Sequence, residues 1–137
     1  MPFGEETLEK LRLIRTPHIG PVSYRQLIER FGSAGAALDA LPNLVMRGGG
    51  KPIKIASRAL VESEMSAVRA LGAHYLFLDD PTYPEWLSHI DNAPPVLTYK
   101  GKLELLNRPS VAIVGARNAS AGACRFARTL AFDLGQG

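Results

Sequence analysis

The chain has 137 residues, 16 Lys and Arg against 13 Asp and Glu for a net charge of +3, and a hydrophobic fraction of 46%. That is the balance of a globular protein of one ordinary domain or two small ones, and it permits a polyanionic partner without demanding one. A single cysteine, Cys124, excludes an intrachain disulfide and a thiolate zinc cluster, so no metal is expected and a reducing compartment suits the chain.

Glu5, Glu6, Glu9 and Lys10 leave no apolar signal core at the start, and no uncharged apolar run is long enough to cross a bilayer. A cytoplasmic protein without a membrane partner is expected. Leu8, Leu11 and Ile14 recur with one-face helical spacing from Thr7 to Arg15, as do Tyr24, Leu27, Ile28 and Phe31 around Ser23 to Arg30. Pro17, Gly20 and Pro21 interrupt the two, with Gly20 read as the residue that permits a tight turn, giving a helix-hairpin-helix pattern. Gly32 closes the second helix, and Ser33 caps a third, Ala34 to Leu41, expected to stop at Pro42.

Arg47-Gly48-Gly49-Gly50-Lys51-Pro52 is a linker by composition: it lacks the Walker spacing, a hydroxyl residue after the lysine, and a preceding strand. A helix from about Ile55 to Leu71 shows a stripe of Leu60, Val61, Met65, Val68 and Leu71 and ends at Gly72. Beyond it the pattern changes. Strands are predicted at His74 to Leu78, Val96 to Tyr99 and Ser110 to Val114, with helices at Pro84 to Ile90 and Ala121 to Leu134. Strands interleaved with helices predict an α/β domain with a mostly parallel sheet. Residues 1–72 then form a small all-helical domain and 73–137 the first part of a doubly wound one, which reads as the front of a longer domain. Ala123, Phe126, Ala127, Leu130, Ala131 and Leu134 are expected to pack the last helix on that sheet.

In such a sheet, ligands bind beyond the carboxyl ends of the strands, at the turn into the following helix. Gly115 occupies that turn and lets an anion approach the backbone. Ser120 is the candidate N-cap, Arg117 offers a planar fork of donors to phosphate oxygens, and Asn118 can donate to the same ligand. A plain tight turn at Gly115 and a surface ion pair at Arg117 are the alternatives. One glycine among residues 115–120 misses the Gly-x-Gly-x-x-Gly fingerprint, so no nicotinamide cofactor is expected, nor any other.

No catalytic set has a motif spacing. His18, His74 and His89 fall on different elements, Asp79-Asp80-Pro81 reads as turn chemistry, and Cys124 reads as a small packed residue. The hairpin supplies a second phosphate contact through Ile19, Gly20 and Arg25, with Arg12, Arg15 and His18 beside it; its alternative is a protein interaction module.

Ile19-Gly20-Pro21 with Leu27 and Phe31-Gly32-Ser33, then Tyr83-Pro84 and Leu87, then Pro94-Pro95-Val96-Leu97 with Gly101, then Val111-Ala112-Ile113-Val114-Gly115-Ala116-Arg117 with Ala119-Ser120, together resemble the bacterial DNA-processing protein A family (DprA, also called Smf). The resemblance implies a helical N-terminal domain similar to sterile alpha motif (SAM) or helix-hairpin-helix folds, followed by an extended Rossmann-like doubly wound domain. It implies single-stranded DNA binding in natural transformation (competence), loading of the RecA recombinase, a homodimer and no catalysis. The family's Gly-Ser/Thr-Arg motif falls on Gly115-Ala116-Arg117, where Ala116 lacks the hydroxyl. The family's later Ser-Gly motif, further basic contacts and dimer surface would fall after Gly137. A nucleoside-monophosphate phosphoribohydrolase on a related fold is the enzymatic alternative, although its Pro-Gly-Gly-x-Gly-Thr stretch is not in this chain.

Overall fold

The computed structural model describes residues 4–136. Gly4 stands in extended conformation before helix α1 (Glu5–Arg15), which carries Glu5 and Glu6 in its first turn and Arg12 and Arg15 in its last, charges that complement the helix dipole at both ends. The sequence predicts one apolar stripe here. The structure instead buries α1 on two sides: Leu8 and Leu11 on one, Leu13 on the other, while Ile14 is only partly covered.

Leu13 joins Tyr24 of α2 (Pro21–Phe31) and Ala34, Ala37, Leu38 and Leu41 of α3 (Ala34–Arg47) in one apolar cluster. Leu8 and Leu11 join Val61 and Met65 of α4 (Arg58–Ala70) and Tyr75 in a second. Ser33 caps α3 by accepting from the Ala36 amide, and Ser57 caps α4 by accepting from the Leu60 amide. Gly32 ends α2 in the left-handed region at φ 79°, where a Cβ is disfavoured.

Two helix expectations are corrected. α3 does not stop at Pro42 but runs on to Arg47 with the proline inside it. Leu44 and Val45 become half-buried by continuing, which offsets the missing N–H and the ring clash of an interior proline. In α4 only Val61, Met65 and Val68 face the core; Leu60 and Leu71 are exposed.

Before α4 the chain is extended and tied back to α1. The Thr16 hydroxyl donates to the Arg12 carbonyl at 2.7 Å and accepts from the Ala56 amide at 3.1 Å, while Arg12 Nε donates to the Ala56 carbonyl at 3.0 Å. Thr16 is 2% exposed, so both groups of the Ala56 backbone are satisfied away from water by residues at the end of α1. On the other side of α1, Arg15 forks onto Glu64 with two bonds of 2.8 Å, and the Tyr75 hydroxyl donates to the same carboxylate at 3.1 Å.

Strands β1 (His74–Phe77) and β2 (Val96–Tyr99) pair antiparallel, with His74 opposite Tyr99 and Phe77 opposite Val96. This corrects the expected parallel arrangement. A parallel pair needs a crossover of a dozen or more residues built around a substantial helix. Between these strands the helix is only α5 (Glu85–Ser88), and the Tyr83 hydroxyl pins the connection by donating to the Pro94 carbonyl at 2.8 Å. Asp80 accepts from the Thr82 amide and hydroxyl, the turn chemistry expected of it, and Asp79 pairs with Lys10 at 2.6 Å.

The chain divides into two compact units, Met1–Asn107 and Arg108–Gly137. The change from helix-only to strand-containing sequence falls inside the first, because Tyr75, Phe77 and Val96 pack with α1 and α4. In the second unit, α6 (Ala121–Leu134) forms as predicted, but residues 110–114 join no strand among the described residues. A strand exists only through its ladder, and without one Val111 and Val114 are exposed, Val114 at 91%. The α6 face expected to cover a sheet is correspondingly open, with Phe126 and Leu134 exposed, as is Phe132 beside it in sequence.

Thr16→Val keeps the shape but removes the acceptor of the buried Ala56 amide. It is expected to destabilise the protein by about 1–3 kcal/mol in urea unfolding, with Thr16→Ser, which keeps the hydroxyl, avoiding most of that loss; equal stability of the valine variant would contradict the latch. The Arg15 hydrogen bond holds the Glu64 carboxyl below its usual 4.5, outweighing burial, with help from the Arg15 charge and Tyr75. Burial, with the Glu64 charge second, pushes Tyr75 up from 10.0 to about 12. The lowered carboxylate stabilises the fold above pH 4.5 and loses that contribution as pH falls through its folded value. The raised phenol gives stability that is full below pH 10 and lost as pH climbs towards 12. Urea midpoints measured across pH should therefore fall at both extremes, less steeply at low pH in Glu64→Gln and less steeply at high pH in Tyr75→Phe.

Candidate functional site

The hairpin between α1 and α2 is built from a short ladder: the Thr16 amide bonds the Leu13 carbonyl, Ile19 bonds Thr16, and Tyr24 bonds Gly20 at 2.9 Å. The residue that takes the left-handed conformation is His18, at φ 67°, and not Gly20, whose φ is −90° and ψ −178°. The expected role of Gly20 as the turn-former is thereby corrected. A left-handed non-glycine costs roughly 1–2 kcal/mol, and here the Thr16 latch and Pro17 hold it. Gly20 is the N-cap of α2, makes no side-chain cap bond, and would have nothing within 4 Å of an added Cβ. With proline at the first helical position, the amides of Val22 and Ser23 are left at an uncovered helix start.

Of the basic residues expected to flank the hairpin, two are engaged inside the fold. Arg12 is bonded to the Ala56 carbonyl and Arg15 to Glu64. Arg25 is half-buried, and its Nη2 has no acceptor among the described residues. His18 is exposed at the tip and Ile19 packs partly into the α2–α3 cluster. Helical spacing located these arginines on the right elements but carried no sign of their long-range partners.

In the second unit, Ser120 is the N-cap of α6: its hydroxyl accepts from the Ala123 amide at 3.2 Å, and its carbonyl accepts from Cys124 at 3.0 Å. Arg117 and Asn118 form the turn that leads to it. Gly115, Ala116, Asn118 and Ser120 line one open cleft of about 570 Å³, bounded on its apolar side by Ile113 and Phe126. Arg117 does not line the cleft. It is exposed and makes no hydrogen bond or ion pair among the described residues, so the surface ion pair weighed for it does not form. An added Cβ on Gly115 would meet nothing within 4 Å, so no neighbouring atom demands a glycine there and the space above the backbone is open. Cys124, expected to be packed, is exposed.

The arrangement offers an uncovered backbone turn, the start of a 14-residue helix, and one guanidinium without a carboxylate partner, a set that suits an anion. Thr16 and Tyr24 matter to the geometry yet had no functional reading in the sequence, and His18 was read only as a residue beside the hairpin contact. A lone threonine after a helix carries no sign of a partner forty residues away, and His18 stands between two turn-formers that masked its conformation.

Residues 4–67 match the DprA-like N-terminal HHH domain family, and residues 74–137 match the family of DNA recombination-mediator protein A. A curated relative, DNA processing protein DprA of Streptococcus pneumoniae (strain ATCC BAA-255 / R6), is 52% identical over 46 residues. That stretch covers 34% of this chain and 16% of the relative.

Because the space at Gly20 is open and its φ is ordinary for any residue, Gly20→Ser should leave unfolding stability within about 0.5 kcal/mol of the parent. A urea midpoint shift equivalent to 2 kcal/mol or more, well beyond the few tenths separating these caps, would show that the glycine is needed by the fold itself.

Proposed function

Since the chain belongs to the DprA family of DNA-processing proteins, we propose that it binds single-stranded DNA through the phosphate backbone, without sequence preference and without catalysis. The observation that carries this is Arg117, unpartnered in the turn that opens α6, beside the bare backbone of Gly115 and the capped helix start at Ser120. Phosphate oxygens are met by the fork of Arg117 and by the amides that follow Ser120; Asn118 donates from the cleft wall. Ala116 supplies only backbone, so this contact depends on charge and amides rather than on a hydroxyl. The uncovered start of α2 at Gly20 is a second, weaker backbone contact, with Ile19 setting the hairpin against the helical core.

The match of residues 74–137 to the recombination-mediator family supports reading residues 108–137 as the entry into a Rossmann-like doubly wound domain, whose sheet would take Val111–Val114 as a strand and cover the open face of α6. In that setting the protein protects incoming DNA in natural transformation, loads the RecA recombinase onto it, and works as a homodimer in the cytoplasm. Among the described residues no helix is long and apolar enough to cross a membrane.

Fluorescence anisotropy of labelled single-stranded oligonucleotides of two unrelated sequences tests the site. Affinity should fall with rising salt, and Arg117→Ala should weaken both oligonucleotides alike and reduce the salt slope by about 0.7. Unchanged affinity in Arg117→Ala would remove the site, and release of base from nucleoside monophosphates would overturn the non-catalytic reading.

A further inference from the structure

Trp86 is 89% exposed, more than any other large apolar side chain described in the first compact unit. A tryptophan carries roughly 150–250 Å² of largely apolar surface, so leaving it in water gives up burial that the fold could have used. The segment that displays it is firmly held. Tyr83 and Ala93 are buried on either side, with the Tyr83 hydroxyl bonded to the Pro94 carbonyl at 2.8 Å. Between these anchors the Leu87 and Ser88 amides bond the Pro84 carbonyl, and the Ser88 hydroxyl and His89 Nδ1 both donate to the Glu85 carbonyl at 2.7 Å. A partner that covers Trp86 therefore has to order one side chain and not a loop.

Trp86, His89 and Ile90 stand at i, i+3 and i+4, and His89 keeps helical dihedrals at φ −84° and ψ −7°. The three share one side of α5, and His89 and Ile90 are exposed as well.

Charge decides what this face fits. Residues 70–99 contain Asp79, Asp80, Glu85 and Asp91 and not one Lys or Arg, in a chain whose net charge is +3. Asp79 is paired with Lys10, whereas Asp80, Glu85 and Asp91 are exposed and form no ion pair among the described residues. An exposed tryptophan can stack on a nucleic-acid base. Here that base would bring its phosphate within the screening length, about 8–10 Å, of Glu85 and Asp91, the chain neighbours of Trp86 and Ile90. A guanidinium is drawn to both features: it lies flat on an indole face and forks onto a carboxylate.

We propose that the Trp86, His89 and Ile90 face of α5 is a docking site for a basic segment of another polypeptide, with an arginine seated on the indole against Glu85 or Asp91 and an apolar residue against Ile90. This surface does not rest on the DNA contact at Arg117.

Trp86 is the chain's only tryptophan, so intrinsic emission of the whole chain reports on this face. Titration with a blocked hexapeptide of alternating arginine and leucine should give a saturable change in emission, absent when glutamate replaces arginine. Glu85→Gln and Asp91→Asn should each weaken binding by up to about fivefold, the scale of an exposed ion pair, and added salt should narrow the gap between parent and variants. Trp86→Ala, followed by NMR through the His89 and Ile90 signals, should lose the peptide-induced shifts while the rest of its spectrum is unchanged. No saturable change with the arginine peptide, an equal response to the glutamate peptide, or shifts at His89 and Ile90 that survive Trp86→Ala would overturn the site. So would tighter quenching by oligothymidylate, which makes the face a base-stacking one, or emission that changes with protein concentration in the absence of peptide, which gives it to a second copy of this chain.

Discussion

Leu11 and Leu13 are both removed from water, yet two residues apart on a helix they point about 200° from one another. α1 can satisfy both only by lying between two apolar layers. α2 and α3 supply one through Tyr24, Ala34, Ala37, Leu38 and Leu41; α4 and the β-hairpin supply the other through Val61, Met65 and Tyr75. The hairpin of residues 16–20 and the placement of β1 both follow from α1 being enclosed in this way.

Enclosure creates a polar problem at the end of α1, where carbonyls run out of partners and the chain must pass from α3 back to α4. Thr16 resolves it by taking one bond from Ala56 and giving one to Arg12, while Arg12 reaches past to the Ala56 carbonyl. The consequence for binding is that the hairpin tip, with His18 in the left-handed region, is held by the fold and not by the glycine next to it. Gly20 is left with open space above it. Arg12 is bonded to the Ala56 carbonyl and Arg15 is offset at the surface by Glu64, so a count of basic residues near the hairpin overstates what a polyanion would meet.

The two compact units contrast in how their residues are satisfied. In the first, apolar stripes find one another and, among the described residues, the buried side-chain polar atoms are paired apart from Arg25 Nη2. In the second, α6 is well capped by Ser120 and Gly135, so the helix forms from local signals, but its apolar face and the run Val111 to Val114 remain exposed. Arg117 stands at the junction of these segments, exposed and without a carboxylate partner among the described residues.

Local signals were enough for the helix starts and stops at Ser33, Gly32, Ser120 and Gly135, for the strands at His74 and Val96, and for the turn at Asp80, because each depends on residues within a few positions. The ordered motifs from Ile19 to Ser120 were also sufficient for the family. Pairing direction was not legible: the strand composition of β1 and β2 is the same in either sense, and the antiparallel choice comes from the four-residue α5 and the Tyr83 tie to Pro94. The continuation of α3 through Pro42, the second buried side of α1, the Thr16 latch and the partners of Arg12 and Arg15 were likewise decided only in three dimensions, since each is a contact whose partner lies on another element. Length, charge and capping are properties of neighbours in the chain, whereas direction, burial and pairing are properties of neighbours in space.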